Sequence, residues 1–198
     1  MSAELVNLQN WPDRFWVRAA LIQNLSGQLA GVSGDSNSLT NRLDRDHLIA
    51  LRNSADLVIV GAQTIRAEDP PAPTANYWIV SNTREFSKPP RAANSANTSL
   101  ISTQLDPVIP TIVLPEITPA ALVELAKATG YSRILIEGGV MLIKQFIAAG
   151  LLDEAIITVV DRPGTGEIMH RAKFGLSLRT QVNLAGLKFQ SWLREDAK

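Results

Sequence analysis

Residues 131–160, YSRILIEGGVMLIKQFIAAGLLDEAIITVV, read as strand, glycine turn, helix and strand, with one carboxylate at the turn. Ile134, Leu135 and Ile136 form a short apolar run suited to a buried strand. Gly138 and Gly139 interrupt it where a helix must begin without a bulky Cβ nearby. Met141, Leu142, Phe146 and Ile147 then recur at helical spacing, and Gly150 supplies the stop. Glu137 therefore falls at the carboxyl end of a buried strand. Ligands of α/β sheets bind outside such ends, where helix N-termini present unpaired N–H groups and a positive field to phosphates. The same residues also suit a plain strand-to-helix turn carrying a solvated glutamate, and a second segment is needed to separate the two readings.

Outward from this unit, strands and helices alternate. Phe15 to Leu21 is a first strand, ended by a turn at Ser26-Gly27, and residues 31–40, GVSGDSNSLT, are a polar surface loop. From Arg42 to Ser54, the spacing of Leu43, His47, Leu48 and Leu51 predicts a helix with Asn41 or Asp44 as cap. Asp56 to Val60 is a continuous apolar strand ended by Gly61, and Ala62 to Ala67 a short helix stopped by Pro70, Pro71 and Pro73. Tyr77 to Val80, Ser99 to Ser102 and Thr111 to Leu114 are short strands, with a loop over residues 81–97. Thr118 to Ala128 is a helix with Thr118 as cap and Pro119 in its first position. Residues 161–180 read as a glycine-containing loop region, and Leu184 to Leu193 as a closing strand with Gly186 inside it. Because no helix separates 154–160 from 184–193, those two strands should pair antiparallel. The expectation is one α/β domain over residues 1–198, with residues 1–13 as an N-terminal extension and a mixed, mostly parallel sheet flanked by helices.

Composition narrows the function classes. With 19 basic and 19 acidic residues among 198, no net field draws the chain to nucleic acid or to an anionic membrane. No apolar stretch approaches the roughly 20 residues that cross a bilayer, and the N-terminus lacks the order of a signal peptide, so a soluble cytoplasmic protein is expected. The absence of cysteine removes disulfides, thiolate metal sites and a cysteine nucleophile. Two histidines and no ligand-spaced cluster argue against a built-in metal. His47, on the apolar side of its helix, reads as a structural histidine, and Trp11, Trp16, Trp78 and Trp192 as core or interface anchors.

The second segment is Gly61-Ala62-Gln63-Thr64-Ile65-Arg66-Ala67-Glu68-Asp69-Pro70, where a strand again ends in glycine and polar groups gather at the next helix. Thr64 can donate to a phosphate, Arg66 can pair with one, and Glu68 or Asp69 can meet an amine. At these residues the chain resembles the C-terminal reductase domain of bacterial riboflavin-biosynthesis deaminase/reductases. The likeness runs in the family's order through WVRAALIQNLSGQLAG, SGDSNSLT, LDRDHLIALRNSADLVIVGAQTIRAEDP and ILIEGGVMLIKQFIAAGLLDEAIITVV, somewhat over half the chain. It is most similar to stand-alone members, since no zinc-deaminase signature precedes it.

The resemblance implies a three-layer dihydrofolate-reductase-like fold and a small-molecule reductase of the 5-amino-6-(5-phosphoribosylamino)uracil reductase type. Such an enzyme passes hydride from NADPH to a pyrimidine ribosylamino phosphate. It implies that Ser36, Ser26 and Arg52 face the substrate, Arg52 at its phosphate, and that Glu137 manages the proton. Ser38, Gly61, Thr64, Glu68, Ser81 and Gly138 fall at cofactor positions, and Gly139, Val140, Met141, Leu142 and Ile143 at the pyrophosphate. A homodimer is implied too, and FQSWL near the C-terminus reads as the edge strand that would form it. The family's SLDG turn is NLSG at Asn24 to Gly27, its usual lysine or asparagine falls at Ala20, and its L-T-x-R is replaced by Pro71 to Thr74. These differences leave two alternatives, a non-catalytic relative that keeps nucleotide binding and a dihydrofolate-reductase-like enzyme.

Overall fold

Alternate residues of the central strands carry apolar side chains to opposite faces, and this sets the layering. In the computed structural model, residues 3–82, 86, 88–170 and 174–195 are described. Val17 and Ala19 of β1 (Trp16–Asn24), Leu57 and Ile59 of β3 (Leu57–Gly61), and Ile134 and Ile136 of β7 (Arg133–Glu137) share one core. That core also holds Leu122, Val123 and Ala126 of α4 (Pro119–Ala128) and Leu142, Ile143 and Phe146 of α5 (Val140–Ala148). Ala20, Val58, Val60 and Leu135 point the other way, onto Leu51 of α2 (Arg42–Ser54) and Ala62 and Ile65 of α3 (Ala62–Glu68). The result is helix, sheet, helix.

The remaining strands of the large sheet are β4 (Asn76–Val80), β5 (Thr98–Ser102), β6 (Thr111–Val113), β8 (Glu154–Val160), β10 (Leu176–Leu184) and β11 (Leu187–Arg194). Their order is β10-β11-β8-β1-β7-β3-β4-β5-β6. Every pairing from β8 to β6 is parallel, while β11 runs antiparallel to both β8 and β10. A separate antiparallel ribbon pairs β2 (Gln28–Gly31) with β9 (Gly164–Ile168). The mixed, mostly parallel sheet between helices is the arrangement expected.

Local chemistry explains where the elements stop. The Asn41 side chain accepts the Asp44 N–H at 3.0 Å, and Thr118 Oγ accepts the Ala121 N–H at 3.1 Å, so each helix begins at a side chain that satisfies an orphan donor. Gly150, at φ 65°, closes α5 in the left-handed conformation that a Cβ disfavours.

Three expectations are corrected. First, Leu184 to Leu193 is not one strand: Ala185 (φ 50°) and Gly186 (φ 77°) form a two-residue turn, and Leu184 pairs with Leu187 across a hairpin. Second, residues 161–180 are not loop throughout, since they hold β9 and the start of β10, whose largely exposed faces lack an apolar alternation to announce them. Third, FQSWL is an interior strand segment between β8 and β10, and the sheet's edges are β10 and β6. Part of the N-terminal extension is docked, with Leu5 and Leu8 buried against Leu39, Val160, Val182 and Phe189. Trp16 and Trp78 are core residues, as expected.

Asp56, just before β3, ties the bottom of that strand to β7. Its Oδ2 accepts the N–H groups of Ser132 and Arg133 and the Ser132 hydroxyl, and its Oδ1 accepts Arg133 Nε at 2.9 Å. Burial works against the charge, but the Arg133 guanidinium and these donors outweigh it and hold the carboxyl at about 2. Because the folded value lies below the usual one, this stabilisation is present above about pH 4 and is lost as pH falls through about 2. Asp56→Asn should therefore lower stability at pH 7 by about 1 kcal/mol after solvent screening. Urea unfolding should show that gap closing between pH 4 and pH 2, and a gap constant over that range would contradict the assignment.

Candidate active site

The two glycine turns meet. β3 and β7 are neighbours, with Val60 opposite Glu137, so the chain leaves both strands at the same rim. A Cβ built on Gly139 would lie 3.4 Å from Gly61 Cα, and one on Gly138 would lie 2.8 Å from Thr64 Oγ. Gly138 and Gly139 adopt φ of 59° and 75°, which a side chain strains against. Gly139 is also the N-cap of α5 and brings no side chain to bond its first N–H groups. Two backbone corners thus approach closely at a bare helix N-terminus, a cradle any larger residue would fill.

A cleft of about 530 Å³ opens from this cradle and runs between α2 and the sheet. Its outer wall is the loop after β2, which is pinned from several sides. Ser33 Oγ donates to Asp35 Oδ1 at 2.7 Å, and Ser36 Oγ donates to Glu68 Oε1 of α3 at 2.7 Å. Arg162 Nη1 donates to the carbonyls of Ser38 and Thr40 at 3.1 and 3.0 Å. The Ser33 hydroxyl and the Asn37 amide hold the Asp35 carboxyl below its ordinary value.

On the cleft floor, Arg52 and Glu137 bind each other. Arg52 Nε lies 2.7 and 2.8 Å from the two carboxylate oxygens, and Nη2 donates to Oε2 at 2.6 Å. Burial opposes the guanidinium charge, but the Glu137 carboxylate more than restores it and the Arg52 pKa is raised. Beside the pair, burial pushes the Tyr77 phenol well above its usual value.

Most of the expected site residues gather here. Ser36, Arg52, Thr64, Glu68 and Glu137 line the cleft, as do Gly138, Gly139, Val140, Met141 and Ile143. Others do not. Ser26 is exposed in the turn after β1, where Gly27 N–H bonds Asn24 O and the side chain has solvent rather than the cleft beside it. Ser38 packs on Gly31, its Oγ 1.9 Å from where a Gly31 Cβ would stand, so it closes the loop instead of facing the cleft. Leu142 turns into the core, because it lies on the side of α5 that faces the sheet. Ser81 is buried at the end of β4, its N–H bonded to Ile101 O, and Gly61 backs Gly139.

Residues without an expected role also line the cleft: Asp44, His47, Leu48 and Leu51 of α2, and Thr158 of β8. For His47, Leu48 and Leu51 the signal was the helical stripe itself, which reads as core although part of it faces an opening. Asp44 Oδ2 accepts Thr40 Oγ at 2.5 Å. His47 is buried, and desolvation, followed by the nearby Arg18 charge, pushes it down to about 4, so it is neutral at pH 7. Among the described residues no group of histidine, aspartate or glutamate is placed to hold a metal ion, and no helix is long and apolar enough to cross a membrane.

Comparison with known proteins gives one family. The profile of the RibD C-terminal domain matches residues 15–162. A riboflavin biosynthesis protein of Arabidopsis thaliana, PYRR, chloroplastic, is 24% identical over 160 residues, covering 70% of this chain and 26% of that protein. This chain thus spans about a quarter of that relative's length. A diaminohydroxyphosphoribosylaminopyrimidine deaminase/5-amino-6-(5-phosphoribosylamino)uracil reductase from Thermotoga maritima superposes with a TM-score of 0.78 at 15% identity, over 91% of this chain and 57% of its own. A pyrimidine reductase-like protein from Corynebacterium diphtheriae superposes at 0.73 with 19% identity, over 98% and 94% of the two chains. At these identities the superpositions establish the fold.

Proposed function

The chain belongs to the RibD C-terminal domain family, and from that premise we propose that it is an NADPH-dependent reductase of the riboflavin-pathway pyrimidine reductase type. Its substrate is a pyrimidine ribosylamino phosphate or a related small heterocycle. The observation that carries this reading is the contact of the Gly61 and Gly138-Gly139 corners at the open mouth of the cleft. NADPH, when bound, would supply the hydride. The backbone N–H groups of Gly138 and Gly139 and of the first turn of α5 would hold its pyrophosphate, with the Thr64 hydroxyl beside them.

The substrate end is built by different residues. Arg52 is a cation 20% exposed in its side chain, set in a partly apolar floor, and serves as anchor for an anionic substituent. Glu137, expected to manage the proton, has both oxygens held by Arg52, through the Nε hydrogen shared between them and through Nη2. We therefore assign Glu137 to positioning Arg52. Reduction adds hydride to carbon and a proton to the neighbouring heteroatom, and with Glu137 engaged by Arg52 we assign that proton to solvent water. Ala20, Leu48, Leu51 and Ile156 give the ring a dry wall.

Turnover is tested by following NADPH consumption with 5-amino-6-(5-phosphoribosylamino)uracil. Consumption is the expected result. Intact NADPH binding without consumption would favour the divergent, non-catalytic alternative. Gly139→Val should weaken NADPH binding by at least about tenfold and lower stability by about 1 to 3 kcal/mol, because the side chain would fill the cradle at φ 75°. Unchanged affinity in that variant would place the nucleotide elsewhere. The expected homodimer in the cytoplasm completes the reading, and sedimentation as a strict monomer at high concentration would remove that part.

A further inference from the structure

α2 turns one carboxylate inward. Arg42, Arg45, Asp46 and Ile49 are exposed, while Asp44, His47 and Leu51 are buried on the opposite side of the helix. Asp44 is 8% exposed and lines the cleft, and among the described residues no lysine or arginine forms an ion pair with it. Its Oδ2 accepts Thr40 Oγ at 2.5 Å, and its Oδ1 accepts nothing. Nor is Oδ1 sealed, because the buried side-chain atoms without a partner among the described residues are Gln23 Oε1, His47 Nε2 and Thr98 Oγ. A carboxylate has about four lone-pair sites, so most of this one's are open to a molecule in the cleft. A carboxylate drawn this far from water without a cation needs donors, and a ligand that enters the cleft must bring them.

The facing wall gives the shape of that ligand. Ala20 of β1 and Ile156 of β8 are paired in register and pack in one core with Leu51 of α2. Two residues further on, Ile22 and Thr158 are paired in the same register and so share that face. Ile22 packs in one cluster with Leu43, the neighbour of Asp44, and all four strand residues line the cleft. Asp44 therefore stands at the polar end of an apolar slot between helix and sheet, with the Thr158 hydroxyl in the opposing wall. Such a slot suits a flat ring held by one polar edge. Arg52, the anchor for an anion, lies eight residues along α2, about 12 Å of helix rise.

We propose that Asp44 accepts two parallel N–H bonds from the substrate ring, one from a ring nitrogen and one from the amino group beside it, so that the cleft selects a 2-amino-4-oxopyrimidine over a uracil. The 2-amino-4-oxo ring presents N3–H and the 2-amino group side by side, and both match a carboxylate. A uracil presents N3–H between two carbonyls, which sets its O2 or O4 against a carboxylate oxygen with no proton between them. A site built to receive a donor discriminates against an analogue that brings an acceptor, since the buried group is then left unpaired. Uracil then binds more weakly without being excluded. This rests on the reading of the cleft as a pyrimidine site and names which pyrimidine it prefers.

The test is calorimetric titration, at saturating NADPH, of two probes that differ only at C2: 2,5,6-triaminopyrimidin-4-one and 5,6-diaminouracil. The wild type should bind the 2-amino ring at least about tenfold more tightly. Asp44→Asn, whose amide can accept from N3–H and donate to the neighbouring carbonyl, should bring the two affinities together or reverse their order. Asp44→Ala should also lose the preference. NADPH affinity should not change in either variant. A merely structural role for Asp44 would lower both probe affinities and leave their ratio intact. Equal binding of the two probes by the wild type, binding of neither, or a preference that survives in Asp44→Asn overturns the assignment of Asp44 while leaving the reductase reading intact. Failure of the folded wild type to bind NADPH overturns that reading and this one with it.

Discussion

Arg18→Ala lowers stability by about 3 to 5 kcal/mol, the cost of leaving a buried carboxylate without its partner. The side chains of Arg18 and Glu154 are 2% and 8% exposed, and Nη2 lies 2.7 Å from Oε2. Glu154 also accepts Trp16 Nε1 at 3.1 Å and Ser191 Oγ at 2.7 Å, so β1, β8 and β11 converge on one carboxylate. Burial lowers the Arg18 pKa, and the Glu154 charge and hydrogen bond act to restore it. Truncation leaves Glu154 buried without its cation and removes the stacking of Arg18 over Trp11, whose centroid is 4.1 Å away. The urea midpoint should fall accordingly. The double change Arg18→Met with Glu154→Leu should recover much of the loss, because no charge is then left buried. A single-variant loss below about 1 kcal/mol, the range of surface pairs, would show that the pair is hydrated and that the N-terminal segment is not held by it.

In the cleft, Arg52→Met should raise KM for the phosphorylated substrate by roughly 10- to 150-fold, the range of a charge-assisted hydrogen bond worth about 1.5 to 3 kcal/mol. NADPH affinity should move far less, since the glycine cradle is a separate part of the site. Glu137→Gln separates the two roles open to that residue. If Glu137 positions Arg52, the variant resembles a mild form of Arg52→Met and acts mainly on KM. If Glu137 delivered the proton, kcat would fall by about 10²- to 10⁴-fold with KM little changed, and the assignment of the proton to water would be wrong.

What could be read from the residues, and what could not, divides along physical lines. Continuous apolar runs such as Leu57–Gly61 and Glu154–Val160 are buried on both faces, and a run of that kind has no other stable place. Capped helices were equally legible, because Asn41 and Thr118 mark their starts by hydrogen bonds made within a few residues. The ribbon of β2 and β9 was not: GTGEI owes its strand state to a partner more than 130 residues away, not to any pattern of its own. The hairpin at Ala185-Gly186 hid for a related reason, since alanine at a positive φ is an uncommon turn signal.

At the site, glycine positions were readable because a positive φ and a close approach leave few other residues to choose from. The pairing of Arg52 with Glu137, 85 residues apart, was not, and it changes what each can do. Helical phase alone makes His47 a structural residue. Periodicity places a residue on the inner side of a helix without telling whether that side meets packed core or an opening, and Leu48 and Leu51 share the same ambiguity.

The account stands on the glycine cradle as a dinucleotide site, and direct titration of the folded protein with NADPH tests it. Saturable binding at one site per chain in the micromolar range, competed by the oxidised cofactor and weakened at least about tenfold by Gly139→Val, is the predicted result. Absence of binding at millimolar NADPH, with the protein shown to be folded, would contradict it.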